Sequence, residues 1–197
     1  MSAVREMANI GLGHATTALS NLTGRSFNME IPKVETVCIE KVPDMVGNPE
    51  DVCVGIMMPI EGDVTGHIAF VFPWDSAQSI WRSLLGTCPE TVGDIDELAA
   101  SAMLEIGNIL NSSFMNALSN MTDLKIHATP PVVSVDICYA VTTSVVAEAE
   151  LNEVVALAIE TRIFDMEDVE TRGYFLCIPT VDGLDLMLRR LGVAEAA

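Results

Sequence analysis

The sequence predicts an α+β fold laid down twice: a tandem pseudo-two-fold repeat of long helix, three antiparallel strands and short helix, with the strands joined into one antiparallel sheet and the two long helices carrying the sites. Two alignments of the chain with itself and one change of period lead there. Residues 6 to 34 match residues 105 to 133 without a gap at an offset of 99, with ten identities that include Glu6 with Glu105, Asn9 with Asn108, Ala18 with Ala117, Asn21 with Asn120 and Pro32 with Pro131. A weaker match at offset 106 pairs Pro73 with Pro179, Leu85 with Leu191 and Gly86 with Gly192. The second copy therefore holds about seven extra residues, which the charged, loop-like stretch Asp165 to Arg172 can accommodate. Within each copy the apolar period changes from three or four residues to two, as it does where a helix gives way to strands.

Each element follows from that period. Val4, Met7, Ala8, Gly11, Ala15, Ala18, Leu19 and Leu22 form the buried stripe of a helix ending near Gly24. Strands are predicted at about 34 to 42, 52 to 60 and 65 to 72, with Val42 to Pro49 and Glu61-Gly62-Asp63 as hairpin connections. After Pro73 a short helix, about 75 to 86, carries Ala77, Ile80, Trp81, Leu84 and Leu85 on one side. The second copy predicts a helix at about 94 to 121, strands near 132 to 149, 153 to 162 and 173 to 179, and a short helix from 182 to 191. One long helix cannot cover three strands and their edges, so the halves should share a sheet. The expectation is a single domain over 1 to 197, with one lobe at about 1 to 90, another at about 91 to 197, and the segment from Cys88 to Gly93 crossing between them.

Composition excludes several functions. Half of the 197 residues are hydrophobic, enough for a sizeable core. Against 28 Asp and Glu stand 10 Lys and Arg, a formal net charge of -18 with a pI near 4.2, which repels nucleic acid and anionic membranes. Apolar runs such as Val52 to Ile60 are far shorter than the roughly 20 residues of a spanning helix. With a carboxylate at Glu6 where a signal peptide would be apolar, the expected location is the cytoplasm. Cys38, Cys53, Cys88, Cys138 and Cys177 show no CxxC spacing and read as reduced, mostly buried thiols. His14, His67 and His127 lie in different elements without ligand spacing, and no cofactor or metal of the chain's own is expected. Gly11-x-Gly13 sits inside a helical pattern and reads as close packing rather than a nucleotide loop.

The informative residues are polar. Ser2, Glu6, Asn9, Gly13 and Ser20 line one face of the first long helix, opposite its apolar stripe, and Ser101, Glu105, Asn108, Ser112 and Ser119 line the same face of the second. A solvated face requires no particular polar residue. Yet both helices carry Ser-x-x-x-Glu-x-x-Asn, each followed by a proline 23 positions after the Asn, at Pro32 and Pro131.

That pattern resembles the active-site signature of the CheC/CheX/FliY phosphatases of bacterial and archaeal chemotaxis, and Glu6 to Ala15 is most like the CheC members. The resemblance spans essentially the whole chain, duplication included. It departs in that only five residues precede Glu6, which leaves the first helical turn, and Ser2 in particular, prone to fraying. The resemblance implies dephosphorylation of the response regulator CheY, whose receiver domain carries an aspartyl phosphate and its own Mg²⁺. Glu6, Asn9, Glu105 and Asn108 would be the site residues, with Ser2, Pro32, Ser101 and Pro131 associated with the motif.

The chemistry of these side chains suits that role. A side-chain amide can accept from an attacking water while donating to a phosphoryl oxygen, and it stays neutral beside the phosphate. A carboxylate one turn away, with no second carboxylate or His beside it, suits a charge-assisted bond to a lysine next to the phosphorylated Asp. The prolines are better read as fixing the chain where it enters a strand. The alternative is an adaptor that binds phosphorylated CheY, the receptor deamidase CheD, or both, without catalysis. A structural part of the flagellar or archaellar motor is a weaker third reading.

Overall fold

The computed structural model describes residues 2–149, 155–164 and 170–192. The first half runs α1 (Ser2–Thr23), β1 (Asn28–Cys38), a 3-10 turn (Ile39–Lys41), α2 (Val42–Val46), β2 (Val52–Gly62), β3 (Gly66–Pro73) and α3 (Trp74–Leu85). The second runs α4 (Glu97–Thr122), β4 (Ile126–Ala128), β5 (Val132–Ile137), α5 (Cys138–Ala149), β6 (Val155–Phe164), β7 (Glu170–Pro179) and α6 (Val181–Arg190). Helix α1 ends where Gly24 turns to φ +66 and its amide donates to the carbonyl of Ser20, a conformation glycine adopts without steric cost.

The seven strands form one antiparallel sheet in the order β1-β6-β7-β3-β2, with β4 and β5 following one another along the outer edge of β2. The order interleaves the halves. Strand β1 pairs with β6, and its counterpart β5 pairs with β2, so the first strand of each half lies against the second strand of the other. At the centre β3 runs against β7, with Ala69 opposite Leu176 and Phe70 opposite Phe175. The 106-residue offset converts one of these pairs into the other, which puts the pseudo-two-fold axis between them.

Alternation along the strands gives the sheet two apolar faces. Ile68, Phe70, Phe72, Phe175 and Cys177 point to the face covered by α1, α3, α4 and α6, where Phe114 of α4 stacks on Phe175 with ring centroids 4.6 Å apart. Ala69, Val71, Ala156, Ala158 and Leu176 point to the other face, and Val42, Val46, Cys138 and Val141 from the small helices cover it. Each large side chain buried in these layers contributes roughly 1.5–3 kcal/mol.

Three local expectations are corrected. Residues 132 to 149 are not one strand, because the chain turns helical at Cys138 and forms α5. Strand propensity of the run from Val141 onward loses to packing: Cys138 and Val141 are buried on the sheet, and Gly55 leaves the space that Val141 fills. The hydroxyls of Thr142 and Thr143 donate back to the carbonyls of Cys138 (2.8 Å) and Tyr139 (2.6 Å). Val42 to Pro49 is not a hairpin connection; β1 leaves for β6, and the segment forms α2 against the second sheet face. The extra residues of the second half do not all fall in Asp165 to Arg172, since seventeen residues separate β5 from β6 against thirteen between β1 and β2, and Glu170, Thr171 and Arg172 belong to β7. Residues 165–169 lie outside the described residues.

Candidate active site

Burial sorts the two long helices as their sequences predict. On α1, Val4, Met7, Ala8, Leu12, Ala15 and Leu19 are buried, while Glu6, Asn9 and Gly13 are exposed. Leu22 departs from the expected stripe, lying 52 % exposed at the helix end. On α4, Met103, Ile106, Leu110, Phe114 and Leu118 are buried, while Ser101, Glu105, Asn108 and Ser112 are exposed. Each Glu stands three residues before its Asn, the spacing of neighbours on one helical face. The backbone of Ser2 opens α1, and its side chain lies outside the described residues.

The two helix starts are held differently. Helix α4 begins two turns before Glu105: the Asp96 carboxylate accepts from the Ala99 amide at 2.8 Å, and the buried Trp81 indole donates to the Ala99 carbonyl at 2.8 Å. Glu105 thus sits in the helix interior. On α1, Arg5 ties the turn that bears Glu6 to a strand. The Arg5 guanidinium donates to the carbonyl of Ile31 at 2.9 Å and that of Pro32 at 3.4 Å, joining the turn that bears Glu6 to β1. Sequence reasoning passed over Arg5; its signal was a cation beside Glu6 in a chain with few cations.

Around each Asn the surface is open and small. A Cβ on Gly13 would meet nothing within 4 Å, so this glycine is not there for packing inside the chain, unlike Gly11, which abuts Phe114. Its counterpart Ser112 folds its hydroxyl onto the Asn108 carbonyl at 2.7 Å, keeping that surface low. Pro32 is exposed in β1 beside the Arg5 contact, and half-buried Pro131 immediately precedes β5. Only Pro131 therefore stands at a strand entry, whereas Pro32, against expectation, lies inside β1 at its register shift between Glu30 and Lys33, where a proline without an amide proton interrupts the ladder.

A cavity of about 900 Å³ opens elsewhere, lined by Trp74, Asp75, Cys138, Glu170 and Arg172 among others, with no contribution from either long helix. Among the described residues no three His, Cys, Asp or Glu side chains come together as a metal set, and no helix is long and apolar enough to cross a membrane. The Glu and Asn side chains stand exposed on both helices, a placement that meets a protein surface more readily than it encloses a small ligand.

Two copies of an exposed Glu-x-x-Asn helix on one interleaved sheet define a class, and comparison with known proteins agrees with it. The CheC-like family matches residues 1–35 and 98–135, the two long helices with the segments that follow them. The CheY-P phosphatase CheC of Bacillus subtilis is 30% identical over 98% of this chain and 94% of its own length. The chain belongs to the CheC-like family. FliY of Thermotoga maritima superposes with a TM-score of 0.73 at 18% identity, covering 96% of this chain and 94% of that one. CheX of Borrelia burgdorferi, solved in complex with CheY, BeF3 and Mg²⁺, superposes with a TM-score of 0.53 at 16% identity over 87% of this chain and 96% of that one. The α+β architecture is shared across these proteins.

Proposed function

We propose that this chain hydrolyses the aspartyl phosphate of CheY, using Glu6 and Asn9 on one helix and Glu105 and Asn108 on the other. The observation that carries the reading is that both Glu and Asn pairs stand exposed on the outer faces of helices whose inner faces are buried. The relative that is 30% identical is named a CheY-P phosphatase, which supports the same substrate.

An acyl phosphate already holds a reactive bond, and the receiver domain brings its own metal ion. What remains to be supplied is a water in line with that bond and a fixed docking register. The amide of Asn9 or Asn108 accepts a hydrogen bond from the attacking water through Oδ1 and donates to a phosphoryl oxygen through Nδ2. Glu6 or Glu105, one turn earlier, pairs with a cation beside the phosphorylated Asp and sets the register. Gly13 and Ser112 leave room for the partner's backbone.

The test is the decay of radiolabelled phosphorylated CheY with and without this protein. Faster decay at substoichiometric protein supports the reading. An unchanged decay rate alongside tight binding would replace it with the adaptor reading.

A further inference from the structure

We propose that Arg5 is a positioning residue of the first site, holding the turn that bears Glu6 against β1. The proposal rests on the phosphatase reading for the reaction it serves, and on geometry for the tether.

Different contacts hold the two helices that bear the Glu residues. A carboxylate that sets a docking register must ride on a turn that keeps its place, because a shift of the turn shifts the register. At the second site Glu105 lies well inside α4, behind the Asp96 cap and the Trp81 contact. At the first, the fastening comes from Arg5, the residue beside Glu6 in the chain. Its guanidinium, planar and with several donors, meets two successive carbonyls, those of Ile31 and Pro32. Buried Val4 and Met7 flank it on the helix, so the tether acts on a turn already seated on the core.

The Arg5 counterpart 99 residues on is half-buried Leu104, which can make no such bond. The tether therefore belongs to one site alone. It also links the Glu of the signature to its proline, since Pro32 supplies one of the two carbonyls and cannot donate a backbone hydrogen bond of its own.

The test uses two single-site proteins made in the full chain: one with Glu105→Ala and Asn108→Ala, leaving the first site, and one with Glu6→Ala and Asn9→Ala, leaving the second. Arg5→Leu is expected to raise KM for phosphorylated CheY about threefold to tenfold in the first protein, the scale for losing a partly exposed charge-assisted bond. Turnover at saturation stays within about twofold, because Asn9 lies a turn deeper in the helix. In the second protein KM is unchanged, and Arg5→Lys recovers part of the loss in the first. A uniformly destabilised fold would move both proteins alike, so equal changes in the two, or no change in the first, would overturn the proposal. If the unmutated chain fails to speed decay, the phosphatase reading falls. Arg5 is then decided by the affinity of the first-site protein for beryllofluoride-activated CheY, which the proposal requires to weaken in Arg5→Leu.

Discussion

Gly107 of α4 lies so close to Ile56 of β2 that a Cβ added to the glycine would stand 2.5 Å from Ile56 Cγ2. The missing side chain lets α4 settle on the sheet one residue before Asn108. Ile56 is fully buried and branched at Cβ, so it has little freedom to turn aside. Gly107→Ala is expected to destabilise the fold by about 1–3 kcal/mol, the usual cost of forcing atoms into a packed core. Gly13→Ala, facing open space in α1, should stabilise it by about 0.5–1 kcal/mol. Urea unfolding midpoints of the two variants should move in opposite directions.

Asn9→Ala combined with Asn108→Ala should abolish the acceleration of CheY-phosphate decay. Losing one well-placed polar group costs on the order of a hundredfold to a thousandfold in rate. Both side chains are exposed, so the melting temperature should hold within a few degrees. Near-normal activity in the folded double variant would exclude the amide role.

Reversing charge tests the carboxylates. Glu6→Lys together with Glu105→Lys should weaken binding of beryllofluoride-activated CheY about tenfold at each site, as two like charges replace an attractive pair. Titration calorimetry reads this directly, and an unchanged affinity would remove the cation-pairing account.

Removing Glu105 and Asn108 should leave the activity of Glu6 and Asn9, and the reverse removal should leave that of the second pair. Uncoupled positions behave additively, so the two residual rates should sum to roughly the parent rate. Complete loss from either single-site removal would mean that the two helices build one composite site.

Thiol reactivity offers a check on the fold without a partner. Cys38 is exposed and Cys88 half-buried, whereas Cys53, Cys138 and Cys177 are buried. Burial pushes the Cys177 thiol up to about 12, so almost none of it is thiolate at pH 8. A disulfide reagent at that pH should modify Cys38 first, Cys88 more slowly, and Cys177 only once urea unfolds the chain. Rapid labelling of Cys177 in the folded protein would contradict the packing of β7.

Much of this architecture was legible in the residues themselves. The stripe from Val4 to Leu19 and its repeat in α4 marked both long helices, because burial on one face leaves a 3.6-residue period that survives in sequence. The polar face was legible for a different reason: Glu6, Asn9, Glu105 and Asn108 recur where solvent would tolerate almost anything. Helix α5 was not, since the β-branched Val141 and Thr142 favour a strand until Gly55 opens a place for Val141. The partner of β1 could not be read either. Val34 to Val37 carry a strand pattern, but nothing local says that Val155 to Phe164 lies alongside instead of the nearer Val52 to Gly62. Arg5 stayed hidden because its partners are backbone carbonyls, which have no letter in a sequence.

The crossing of β1 to β6 and of β5 to β2 bears on how such a chain could have come about and how it fails. Each half holds a strand on loan from the other, so a half-length ancestor could complete its sheet only by clasping a twin, and would then have carried two identical sites on a symmetric pair. Joining the twins into one polypeptide removes the demand that the two helices stay alike, and position 5 with its counterpart 104, Arg in one and Leu in the other, is such a difference. The same clasp makes the molecule fail as a unit: an injury to the shared sheet silences both helices together, whereas an injury to one exposed face silences only its own.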